Sequence, residues 1–130
     1  MARLWGRRLF LGASWAFVAG AFVQIYLAGM GVFAGSFDNH RSWGYTLGLF
    51  PLLMIVFGLI GRIGRRDILL SALLFLQGIL QSVFVFQRES NPAVAALHPV
   101  NGVLMLVIGI YLAIEARRLL RADAEPAAQA

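Results

Sequence analysis

The sequence predicts an all-α protein, a transmembrane four-helix bundle in antiparallel up-down-up-down order, built from two weakly repeated helical hairpins. Composition is the first reason. Of 130 residues, 60% are hydrophobic and 13% charged, whereas a soluble domain carries about 45–50% apolar and about 25% charged residues. The second reason is the spacing of charge. Residues 9–37, 42–61, 68–87 and 90–114 contain no Asp, Glu, Lys or Arg. A helix needs about 20 apolar residues to cross about 30 Å of hydrocarbon, so each stretch fits one crossing and none fits two. The third is a weak internal repeat, in which each half pairs a glutamine-containing span with a span that begins near a histidine.

The elements follow in order. Arg3, Arg7 and Arg8 resemble the charged start of a signal peptide. The apolar run after them is too long for one, and three more spans follow, so it reads as a retained first helix near Leu9–Phe33. The second helix is expected near Trp43–Ile60 and the third near Ile68–Phe86, joined by the short connection Gly61–Asp67. The fourth is expected near His98–Ala116. Before it, Asn91-Pro92 looks like a helix start, with Asn as cap and Pro in the first turn. Residues 1–121 then form a single transmembrane domain, and residues 122–130 (ADAEPAAQA) a disordered tail.

Arginine asymmetry sets the expected orientation. Arg3, Arg7 and Arg8, then Arg62, Arg65 and Arg66, then Arg117, Arg118 and Arg121 fall on one side, against Arg41 and Arg88 on the other. Under the positive-inside rule the first group is cytoplasmic, which places both termini inside a bacterial inner membrane. Trp5 and Trp43 suit interfacial anchors on opposite sides. The net charge of +5 is thus topology, and no nucleic acid is expected as a partner; the bilayer is.

Composition also removes whole classes of chemistry. With no cysteine there is no disulfide, thiolate metal site or cysteine nucleophile. No nucleophile–base–acid set stands out, so a stand-alone enzyme is not the favoured reading. Acidic or basic residues inside spans mark ion pathways, and none occurs here. Two histidines are too few for a zinc or copper site unless a homodimer supplies more ligands.

Those two histidines are the main chemical signal. His40-Arg41-Ser42-Trp43-Gly44 and His98-Pro99-Val100-Asn101-Gly102 both fit H-x-x-x-G, each at the expected outer end of an even-numbered span. Glycine four residues on lies on the same helix face, which lets a flat cofactor or a neighbouring helix approach the backbone. One reading is packing at a membrane interface. The other is a pair of imidazoles at matched depth, the arrangement that supplies two axial ligands to one haem iron, with haem b as the expected cofactor. Asp38 then either caps the second span or accepts from an imidazole N–H. Arg41 and Arg88 are either solvated interface charges or partners of haem propionates. Gln24, Gln77 and Gln81 are expected to bond between helices, with a propionate or a quinone as the other candidate contact.

Four spans, histidines at the outer ends of spans two and four, the His40-Arg41 pair and the glutamine-bearing VQIYLAGMGVF and LQGILQ resemble one half of haem A synthase. The LHPVNG stretch is also similar to that of small four-span bacterial membrane proteins of unknown function, and the plan is shared with four-helix membrane cytochromes b. The resemblance covers residues 8–118 and implies His40 and His98 as haem ligands. The second half of that enzyme has no counterpart, and Asp38 is only a loose equivalent of its acidic residue, so its oxygenase activity is not implied. The expected function is bis-histidine haem b binding for electron transfer or haem handling, with a quinone or redox protein as partner. The alternative is a cofactor-free membrane scaffold or accessory subunit.

Overall fold

Proline and glycine decide where the four hydrophobic stretches bend and stop. The computed structural model describes residues 1–124. It contains α1 (Ala2–Ala34), α2 (Asp38–Leu47), α3 (Leu49–Gly61), α4 (Arg65–Phe86), α5 (Pro92–Ala95) and α6 (Leu97–Ala124). No strand occurs among the described residues. Four helical stretches are long and apolar enough to cross a membrane: α1, α2 with α3, α4, and α5 with α6. Each contains one of the expected spans.

α1 stops at Gly35, which takes a left-handed conformation (φ 79°) and donates its N–H to the Gly31 carbonyl, a turn that glycine enters without steric cost. The second span runs, as expected, as one helical stretch through Asp38–Gly61, with a turn at Gly48 that keeps right-handed helical angles (φ −62°, ψ −16°). Pro51 removes one bond of the ladder there: it has no N–H for the Leu47 carbonyl, and its ring crowds that carbonyl. Pro99 acts in the same way on Ala95; the turn at Ala96 precedes the expected fourth span, which falls wholly within α6. Asn91 caps α5 as expected, its side chain accepting from the Val94 N–H at 3.3 Å. α3 ends at Arg62 (φ 49°), after which the Ile63 N–H reaches back to the Gly58 carbonyl at 3.1 Å and Ile63 is buried.

α1 packs on α2, α3 and α6, and α4 packs on α3 and α6. The paired positions run in opposite directions. Rising positions on α1 (Arg7, Gly20, Gln24) bond falling ones on α3 and α2 (Gly61, Trp43, His40). On α4, Gln77 and Gln81 meet Asn101 and His98 of α6 in the same sense. At the end holding Arg7 the packing is tight. A Cβ on Gly61 would lie 2.8 Å from the Arg7 nitrogen, so α1 and α3 touch through bare backbone, the usual use of small residues between membrane helices. Phe10, Phe17, Met54, Leu74 and Leu112 are all fully buried within the bundle.

Arg7 joins this core, and Asp123 pairs with it from the surface. Arg7, assigned above only to topology, is 5% exposed. Its Nε donates to the Gly61 carbonyl at 3.0 Å, and Nη1 to both Asp123 oxygens at 2.7 Å. The expected boundary at residue 121 therefore needs correction. α6 continues through Ala122–Ala124, because Asp123 has an ionic partner in α1. The rest of the expected tail, 125–130, lies outside the described residues. Trp43 is half-buried and donates its indole N–H to the Gly20 carbonyl at 2.9 Å, so it ties α2 to α1.

Candidate functional site

At the opposite end the bundle opens. No backbone of α2 comes close to α4 or α6, and a cleft of about 1580 Å³ lies between them. Its walls are mainly apolar, including Phe17, Phe75, Ile79 and Met105, and both histidines and both glycines of the H-x-x-x-G repeats line it. Ordinary small-molecule pockets span roughly 300–1,000 Å³, so this one has room for a large flat group.

The histidines meet across it. Their ring centroids are 6.0 Å apart, with ring planes at 61°. His40 directs Nδ1 at the backbone carbonyl of Gln24 at 3.1 Å, and His98 directs Nδ1 at that of Gln81 at 3.2 Å. A carbonyl oxygen only accepts, so Nδ1 carries the proton in each ring and Nε2 holds the lone pair. Metal-ligating histidines are commonly fixed in this tautomer by a carbonyl on the far nitrogen. The two Nε2 atoms differ in their surroundings. That of His40 accepts from the Gln24 side-chain N–H at 3.2 Å. His98 has a hydrogen bond on Nδ1 alone among the described residues.

The glycines serve the glutamines. A Cβ on Gly44 would lie 3.0 Å from Gln24 Nε2, and one on Gly102 would lie 3.2 Å from Gln81 Nε2. Each glycine thus makes room for the amide of the residue that holds its histidine. This sets the register of the repeat: Gln24–His40–Gly44 matches Gln81–His98–Gly102. The matching glutamine is Gln81, one helical turn beyond the Gln77 that the sequence motifs align. The buried amide oxygens of Gln24 and Gln81 have no hydrogen-bond partner among the described residues.

The remaining candidates divide. Arg41 and Arg88 stand at the mouth of the cleft, largely exposed, Arg41 3.6 Å from Asp38 and Arg88 3.3 Å from Glu89. Asp38 sits in the first turn of α2, where its carboxylate accepts from the Ser36 hydroxyl at 3.0 Å; it does not touch an imidazole. Gln77 links to α6 through its backbone, its carbonyl accepting from Asn101 Nδ2 at 3.0 Å. Asn101, buried at 8% exposure, is the polar contact that reading for histidines passed over; a lone amide in an apolar span was its signal. Among the described residues no three His, Asp or Glu converge as a metal site, so any metal here would rest on the two imidazoles.

Fold and cleft together define a multi-helix protein of membrane-spanning character with a polar-tipped apolar cleft at one end. The model of a family of unknown function (DUF6220) matches residues 24–87, which begins at Gln24 and includes His40, Gly44 and Gln81. No curated protein and no solved structure matches the chain.

Proposed function

We propose that this chain is a bacterial inner-membrane protein that binds haem b between His40 and His98, for electron transfer or haem handling. The observation that carries the reading is the pair of imidazoles, each with Nδ1 committed to a backbone carbonyl, 6.0 Å apart by ring centroids. His40 and His98 would hold the haem, and the residues present fit it: the rings belong to helices that do not pack on each other, the cleft walls are mainly apolar, and Arg41 and Arg88 in the lining would offer positive charge to its carboxylates.

Bound there, haem would supply a one-electron iron couple. The chain's own work is positional. The carbonyls of Gln24 and Gln81 fix tautomer and ring direction, Gly44 and Gly102 let the glutamines pack close, and the apolar walls exclude water from the centre. The helix order is up-down-up-down with both termini cytoplasmic. The electron partner is a quinone or a redox protein at the histidine end.

A cofactor-free scaffold is the second reading, favoured by one fact: His40 Nε2 already has the Gln24 N–H as partner. Colour separates the two. Protein expressed with ample haem should purify with a Soret band and a sharp reduced α-band. His40→Ala and His98→Ala should each alter the reduced spectrum. Colourless wild-type protein, or a spectrum unchanged in both variants, leaves the scaffold.

A further inference from the structure

The end of the bundle away from the histidines carries arginine in excess of carboxylate. Arg3, Arg8, Arg62, Arg65, Arg117 and Arg121 have no carboxylate within 4.0 Å among the described residues. At the histidine end both arginines are paired, Arg41 with Asp38 at 3.6 Å and Arg88 with Glu89 at 3.3 Å. We propose that the groove between the first turns of α1 and the last turns of α6 binds an anionic phospholipid, with its phosphate on Arg8 and its glycerol and upper acyl carbons on Leu4, Leu120 and Ala124. The site is separate from the histidine cleft and does not depend on haem.

The groove has a volume of about 340 Å³ and is lined by Leu4, Arg8, Leu120, Asp123 and Ala124. Its one carboxylate is already engaged: both Asp123 oxygens accept from Arg7 at 2.7 Å. Arg8 is therefore the uncompensated charge of the groove. Its guanidinium lies 5.4 Å from the centroid of the Trp5 ring. An aromatic face holds a guanidinium in place and leaves its N–H edge for a phosphate, which arginine meets bidentately. The depth suits a headgroup. Residues 9–37 carry no charge, so hydrocarbon begins just past Arg8, and the exposed Trp5 falls in the interfacial belt. The apolar lining calls for a ligand with carbon beside its phosphate. A zwitterionic headgroup fits poorly, because its ammonium would find no free carboxylate in the groove and several unpaired arginines at the same end. Basic sites between helices at a membrane surface recognise anionic headgroups on these grounds.

Spin-labelled lipids at trace level, in phosphatidylcholine vesicles that hold the full chain, test this. The motionally restricted fraction around wild-type protein should favour phosphatidylglycerol over phosphatidylcholine on the order of fivefold, the worth of one arginine at a membrane surface. Arg8→Gln should bring that ratio close to one, and Arg8→Lys should keep most of it. Arg62→Gln removes the same charge from the same end but outside the groove, and should leave the ratio near that of wild type. Ala124→Glu sets an opposing charge in the groove and should abolish the preference, which keeps the test open if Arg8→Gln fails to reconstitute. Millimolar glycerol phosphate in the buffer should not change the ratio. No preference in wild-type protein would overturn the proposal. Equal falls in Arg8→Gln and Arg62→Gln would do the same, since they would mark diffuse attraction to a basic end instead of a site. Displacement by glycerol phosphate would assign the groove to a soluble phosphate ester and overturn the lipid as its occupant.

Discussion

At the residue scale the organising groups are the glutamines. Gln24 and Gln81 each use a backbone carbonyl to fix a histidine on the next span, and each side chain fills the space a glycine leaves open. A helical carbonyl already bonded along its own helix has a second lone pair, which is why a residue within an apolar helix can orient a ring on another. Bulk at the glycine tests the arrangement. Gly44→Leu must displace the Gln24 amide and push into the cleft, so on the proposed haem reading the haem content measured by pyridine haemochrome should fall severalfold while the variant still fractionates with the membrane. Asn101 tests packing separately. Asn101→Leu removes the bond to the Gln77 carbonyl, and thermal stability in detergent should drop by only about 0.6–1 kcal/mol, as for most hydrogen bonds between membrane helices.

At the element scale, proline interrupts the hydrogen-bond ladder of both even-numbered spans near the histidine end. Pro51 and Pro99 leave the Leu47 and Ala95 carbonyls without their usual donors, next to the turns at Gly48 and Ala96, while the backbone there keeps right-handed helical angles. The hydrophobic pattern conceals these missing bonds, since apolar residues continue through them; only the position of proline relative to the carbonyl four residues earlier reveals them. Pro51→Ala should restore the bond to the Leu47 carbonyl, and hydrogen exchange at the new residue-51 amide should then be slow. A residue-51 amide exchanging as fast as those of the open loops would disprove this account.

Across the whole molecule, one end is closed and the other open. Arg7 joins α1 to α3 through the buried Gly61 carbonyl and to α6 through Asp123 at the surface, above a core of Phe10, Met54 and Leu112. Arg7 is buried and Asp123 is its half-exposed counter-charge, so loss of Asp123 removes a charge-assisted bond from a buried cation. Asp123→Ala should therefore lower stability by about 1–2 kcal/mol, read as a fall in Tm in detergent, whereas Asp38→Ala at the exposed mouth should change Tm little. Sidedness is a separate test. A reporter fused after Ala130 should register in the cytoplasm, and a periplasmic signal would invert the proposed orientation.

Local chemistry was enough for the sequence to determine the helical class, the four helices long and apolar enough to cross a membrane and the cap at Asn91, because length, charge spacing and capping act on each segment by itself. It also picked out His40, His98, Gly44 and Gly102, since two matched H-x-x-x-G stretches stand out in a chain with two histidines. What surrounds them was decided by tertiary structure. The four-residue shift that makes Gln81 the partner of His98 keeps the same helix face, so periodicity cannot distinguish it from Gln77. Arg7 looked like a topology signal because its partner is more than a hundred residues away, and Asp123 looked like tail for the same reason. The unequal surroundings of the two Nε2 atoms depend on where a single amide points, and that is settled only when all four helices have packed.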